Sequence, residues 1–185
     1  MKQRQSFLTT KELTRVALGA AFLTICAWIA IPLGEVPITM QTFALFIISG
    51  LLGTKCGVIT LTVYLLMGMV GLPVFAGMTG GPGRIIGPTG GYLLGFYLTV
   101  LTISTMTKQF GRKPAILGIV AFFGMVLCYA FGTIWFCAVY AGGISNTGIA
   151  AALIKCVVPY LIPDFIKLII ATWIVKRLAP LLVQP

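Results

Sequence analysis

Apolar residues run through this chain in blocks of about membrane-spanning length, and each block closes on a basic residue, a glycine or a proline. A bilayer core of about 30 Å needs about 20 apolar residues in helical form. The first block runs from about Leu13 to Ile31 and stops at Pro32-Leu33-Gly34, which breaks a helix. The second follows Pro37 and Thr39 and ends near Gly53, where Lys55 marks a tight turn; the third runs from about Gly57 to Gly71. The segment Gly71 to Tyr92 holds eight glycines and three prolines. It cannot be a continuous helix, and at membrane depth such backbone is tolerated only within protein or along a wet cavity.

The fourth block runs from about Gly91 to Met106 and is followed by Lys108, Arg112 and Lys113. Pro114 to Ile154 is then 41 residues without a charge. One helix of that length would reach about 60 Å, twice the hydrocarbon thickness, so it must break. The break falls at Ala141 to Gly148, leaving a fifth span over 115–140 and a short interfacial helix over Ile149 to Val158. The last span starts at Pro163, a residue suited to a first helical turn, and ends near Leu178. The pattern therefore predicts an all-α integral membrane protein, one domain over residues 1–185, with six transmembrane helices and a short interfacial helix.

Composition agrees: 59% of residues are hydrophobic and 9% are charged, too few charges for a soluble surface. The net charge of +10 does not indicate nucleic acid, because the basic residues sit in short clusters between apolar blocks. A cleaved signal peptide is set aside because Val16 to Gly34 is 19 residues without a charge and more spans follow. Six spans put both termini on one side. Ten of the 13 basic residues then share that side: Lys2, Arg4, Lys11, Arg15, Lys55, Lys108, Arg112, Lys113, Lys176 and Arg177. The positive-inside rule makes it cytoplasmic. Arg84, Lys155 and Lys167 remain on the other.

Candidate chemistry is sparse. The five cysteines form no CxxC and there is no histidine, so neither a metal centre nor a redox pair is expected. Asp164 and Lys167 stand three residues apart on one face of the last helix. They read either as an ion pair that seats the helix, or as a polar pocket in which Asp164 accepts N–H donors and Lys167 or Arg84 meets an anion. Placed in a first turn, Asp164 would also feel free helix N–H groups, leaving Lys167 available to a ligand. In Val36 to Leu45, Thr39 is a candidate cap, Gln41 a donor and acceptor in an apolar run, and Glu35 a solvated loop charge. In Pro88 to Phe96, Gly90 and Gly91 permit close approach of a ligand or of another helix, and Tyr92 supplies an apolar wall with a polar tip. Ala17 and Ala21 form a small-xxx-small step on the first helix, for internal packing or for docking.

The motifs VPITMQTFAL, GLPVFAGMTGG, PTGGYLLGF and PDFIK, in that order, resemble the BioY family, biotin-specific S components of energy-coupling-factor transporters. The resemblance covers nearly the whole chain. It implies a six-helix subunit that captures biotin from outside with high affinity, has no ATPase site or cofactor of its own, and imports only with a transmembrane coupling protein and two cytoplasmic ATPases. It also implies that Ala17 and Ala21 contact the coupling protein. For biotin, Asp164 would accept from the ureido N–H groups and Lys167 or Gln41 would donate to the ureido carbonyl. Arg84, or Lys167 in a swapped assignment, would meet the carboxylate, and Thr39, Gly90, Gly91 and Tyr92 would complete the wall. The loops Pro32–Pro37 and Gly71–Arg84 would form a lid. The alternatives are an S component for another vitamin and a stand-alone transporter, the latter weakened by the absence of a convincing repeat. An intramembrane enzyme lacks paired carboxylates and metal ligands.

Overall fold

The computed structural model describes residues 8–32, 36–139 and 146–182. Helix accounts for 81% of them, in seven helices: α1 (Thr10–Trp28), α2 (Gln41–Met69), α3 (Gly83–Ile86), α4 (Gly90–Phe110), α5 (Pro114–Val139), α6 (Asn146–Cys156) and α7 (Val158–Leu182). Two-residue strands β1 (Ala30–Ile31) and β2 (Ile38–Thr39) pair antiparallel between α1 and α2. Three of the helices, α2, α5 and α7, are long and apolar enough to cross a membrane.

α2 is a hairpin of two helical arms hinged at Gly53, whose φ of 73° and ψ of 176° lie where essentially only glycine goes. Gln41 Nε2 donates to Tyr64 Oη at 2.7 Å, 23 residues away. A straight helix would separate those residues by about 35 Å. The arms therefore fold back on each other, as the Gly53–Lys55 turn in the sequence predicts. The hinge frees carbonyls, and Arg112 Nε donates to one of them, Gly50 O, at 2.9 Å. The same end of the bundle holds the Lys55–Glu12 ion pair at 3.1 Å and the Arg15 bond to Leu182 O at 2.5 Å. The start of α1, the α2 hinge, the α4–α5 turn and the end of α7 thus meet at one end. α1 opens there on a complete capping box, Thr9 with Glu12. The Thr9 backbone N–H, and then Lys55, hold the Glu12 carboxyl below its ordinary range.

At the opposite end α1 stops at Trp28, three residues before the predicted boundary. The reason is tertiary: the Met40 N–H donates to Cys26 O and Ile29 O at 3.1 Å, and β1 then pairs with β2. The start of α2 closes the end of α1. The small residues of α1 divide between two faces. Gly19 packs on Thr60 and Leu52 and Ala20 is buried, while Ala17 and Ala21 face outward.

The expected start of the last helix at Pro163 is corrected. α7 begins at Val158 and carries Pro163 inside it. Helix tolerates that position because only one hydrogen bond is lost and neighbouring helices pack around the site. The helix break falls instead at Val157, two residues ahead of Pro159, which has no N–H to continue the helical ladder and suits the first turn of a new helix. Asp164 and Lys167 therefore lie in the second and third turns, and the first-turn electrostatic support expected for Asp164 does not apply. α6 begins earlier than predicted, at Asn146. Of the expected break at Ala141 to Gly148, residues 141–145 lie outside the described residues, as do Lys2, Arg4 and Glu35.

Glycines test these assignments. Gly53→Ala is expected to cost about 1–3 kcal/mol, because alanine resists that backbone region. Gly118→Ala, whose new methyl would meet nothing within 4 Å, should be neutral or slightly stabilising. Thermal unfolding of the purified variants in detergent checks both.

Candidate binding site

The hinged end and the strand-paired end have different chemistry. At the strand-paired end a cavity, partly open to solvent, is enclosed by α2, α4, α5, α7 and the segment between α2 and α4. Small-ligand sites are apolar with a few convergent polar groups. This one fits: Phe75, Leu93 and Phe96 line it together with Thr39, Gln41, Arg84, Tyr92 and Asp164.

Its centre is a buried ion pair. Lys167 Nζ donates to Asp164 Oδ1 at 2.6 Å, and the two side chains are 8% and 5% exposed. One turn of α7 sets the spacing. Two charges so placed need every remaining valence filled. Lys167 Nζ also donates to Thr39 O at 2.6 Å and reaches Thr42 Oγ1 at 3.4 Å. Thr42 donates to Asp164 Oδ1 at 2.9 Å, and Tyr129 Oη donates to Asp164 Oδ2 at 2.6 Å. The ion pair thus ties α7 to α2 and α5. The pair exists and seats the helix, and Asp164 also lines the cavity, with Lys167 standing behind it.

Gln41 is held from both sides. Its Nε2 donates to Tyr64, and its Oε1 accepts from Thr39 Oγ1 at 2.9 Å. The second N–H on Nε2 has no partner among the described residues. Thr39 Oγ1 also accepts the Gln41 backbone N–H at 3.3 Å, whereas the residue capping α2 is Met40, with no side-chain bond. Tyr92 Oη lies 3.4 Å from Thr133 Oγ1, and its ring packs against Gly132.

Arg84 is an exposed side chain on the one-turn helix α3, at the cavity wall, without a hydrogen-bond or ion-pair partner among the described residues. The segment that carries it is anchored at several points. Phe75 is 2% exposed with its ring against Tyr64, Gly81 N–H donates to Gly68 O at 2.7 Å, and Trp135 Nε1 donates to Gly87 O at 3.1 Å. Of the two loops expected to form a lid, this one is therefore packed at its base, while the other, Pro32–Pro37, falls largely outside the described residues.

Gly90 and Gly91 do not line the cavity. A methyl on Gly90 would stand 1.7 Å from Ile85 O, and one on Gly91 2.2 Å from Trp135 Cβ. Their smallness serves the packing of α4 against α3 and α5. Sequence reasoning overlooked Tyr129 and gave Thr42 no role at the site. A tyrosine in a uniformly apolar helix carries no signal of its own, and a cross-helix bond to a carboxylate 35 residues away has no local signature.

An uncompensated buried charge predicts a strongly non-additive pair. Asp164→Asn or Lys167→Met alone should destabilise the protein by about 3–5 kcal/mol, and the double substitution by clearly less than their sum. A double-mutant cycle on thermal or denaturant unfolding measures this.

Comparisons with known proteins place the whole chain. Residues 1–184 match the BioY family. A biotin transporter BioY of Thermotoga maritima is 35% identical over 176 residues, 94% of this chain and 99% of its own. A probable biotin transporter BioY of Pyrococcus horikoshii is 33% identical over 171 residues, covering 92% and 98%. In structure the chain is similar to an S-component for biotin from an ECF-type ABC transporter, with a TM-score of 0.80, 29% identity and coverage of 96% and 100%. With its apolar helices, this makes it a multi-pass membrane protein, and the chain belongs to the BioY family.

Proposed function

We propose that this chain is the substrate-binding S component of an ECF-type biotin transporter, and that the cavity around Asp164 is where it holds biotin. The observation that carries the reading is Asp164 itself. It is a buried carboxylate that lines a mostly apolar cavity and, among the described residues, keeps an acceptor position open, with the unpaired Arg84 guanidinium lining the same cavity. Biotin offers the complement: ureido N–H donors and a carbonyl at one end, an apolar thiophane in the middle and a carboxylate on the tail.

In this reading Asp164 Oδ2 accepts a ureido N–H. Gln41, which lines the same cavity and has a second N–H without a partner among the described residues, donates to the ureido carbonyl. Lys167 holds the carboxylate in place, and its 3.4 Å contact to Thr42 is the one it can most easily exchange for a ligand oxygen. Tyr92, Phe75 and Phe96 pack on the thiophane, and Arg84 takes the tail carboxylate, for which a guanidinium gives a two-pronged donor. Thr39 contributes through Gln41. A ligand so held explains why a costly ion pair is kept here.

The chain contributes binding and no catalysis. Six spans, counting the two arms of α2 separately, put the basic end in the cytoplasm and the cavity toward the outside. Biotin uptake then requires a transmembrane coupling protein and a pair of cytoplasmic ATPases. The outward-facing small residues Ala17 and Ala21 form the smooth surface against which the coupling protein packs.

Purified protein should bind biotin one-to-one in calorimetry, and Asp164→Asn should weaken binding about 100-fold or more, given what a hydrogen bond to a buried charge is worth. Arg84→Ala should weaken biotin about 10-fold or more, while leaving biotinamide, which lacks the carboxylate, nearly unchanged. Binding by Asp164→Asn at wild-type strength would misplace the site. Ala17→Trp and Ala21→Trp should bind biotin normally yet lose uptake when co-expressed with the energising module. Normal uptake by both would separate this face from docking.

A further inference from the structure

Tyr129 Oη approaches Asp164 Oδ2 at 2.6 Å, and Thr42 Oγ1 approaches Oδ1 at 2.9 Å. These hydroxyls come from different helices and clasp the carboxylate from two sides, with Lys167 at Oδ1 as the third donor. We infer that Tyr129 and Thr42 are positioning residues that aim Asp164 at a single N–H of the ligand. The inference rests on reading the cavity as the biotin site.

An ionised carboxylate has about four acceptor positions, two on each oxygen. Lys167 and Thr42 take both on Oδ1, and Tyr129 takes one on Oδ2. One position on Oδ2 remains among the described residues. A carboxylate held only by Lys167 would rotate about its Cβ–Cγ bond and present either oxygen. Pinned by two hydroxyls, it presents one lone pair in one direction. The two N–H groups of a five-membered cyclic urea point away from each other, to either side of the carbonyl. Asp164 therefore meets one of them, and the other turns to a neutral acceptor or to water.

Tyr129 also lines a second, mostly apolar groove between α5, α6 and α7; among the described residues around the two spaces it alone is shared, so its ring stands between them. Tyr129→Phe keeps the ring in that partition and removes only the hydroxyl, which makes it a clean probe.

The test uses biotin and its two lactam analogues, in which one ureido N–H or the other is replaced by CH2, on the full-length protein in detergent. The wild type should lose about 30-fold or more for the analogue missing the Asp164-facing N–H, and about 10-fold or less for the other. In Tyr129→Phe the larger ratio should fall to about 5-fold or less, while the smaller changes less than about twofold: the hydroxyl couples to one ligand N–H and not to its twin. Thr42→Val should behave as Tyr129→Phe does, and Thr42→Ser, which keeps the hydroxyl, should restore the wild-type ratios. A parallel loss for all three ligands, with both ratios preserved, means these residues merely prop the cavity and overturns the inference. Equal losses for the two analogues in the wild type overturn it as well. Should Tyr129→Phe not fold, the two Thr42 variants decide alone. Failure of the wild type to bind biotin would instead reject the functional assignment on which this rests.

Discussion

A carboxylate and an ammonium moved out of water into an apolar bundle each cost several kcal/mol, even after relaxation. Asp164 and Lys167 stand in that position on α7, and much of the surrounding architecture follows from making them tolerable. Their mutual bond is not enough. Tyr129 must come from α5, Thr42 from α2, and the Thr39 carbonyl from the strand that precedes α2. Three separate elements are drawn to one point, and the polar floor of the cavity is the result. A structural ion pair and a binding group are the same object seen from two sides.

The rest of that end serves to hold those elements still. The Met40 N–H closes α1, the short strand pair sets the position of Thr39, and Tyr64 reaches across the hairpin to fix Gln41. Close approach without side chains matters at Gly90, Gly91 and Gly132, where any methyl would meet backbone or an aromatic side chain within about 2.3 Å. The other end has a simpler task. It turns the chain sharply at Gly53 and covers exposed carbonyls and charges with basic residues: Arg112 on Gly50, Arg15 on Leu182, and Lys55 on Glu12. Positive charge there satisfies helix C-terminal carbonyls as well as orienting the chain.

The helices were legible because their cause is local. Blocks of apolar residues bounded by glycine, proline or charge give α1, both arms of α2, α4 and α5 within a few residues. Boundaries failed where a distant contact decided them. α1 ends early because Met40 takes its last carbonyls. α7 starts early because Pro163 fits inside a helix whose lost bond is absorbed by packing, while Pro159 marks the real break.

For the site the division is similar. The sequence by itself determined which residues are too polar for their surroundings: Gln41, Arg84, Asp164 and Lys167 each interrupt apolar or glycine-rich sequence, and such a residue needs a partner or a ligand. It also set Asp164 and Lys167, through their spacing on one helix face, near enough to pair, while leaving open whether they do. Only the tertiary structure decided that Lys167 turns behind the carboxylate, that Gly90 and Gly91 pack against α3 and α5, and that Tyr129 and Thr42 complete the cluster. Those facts depend on where α2 and α5 stand against α7. A bond between residues 35 or 122 positions apart leaves no mark on either stretch of chain.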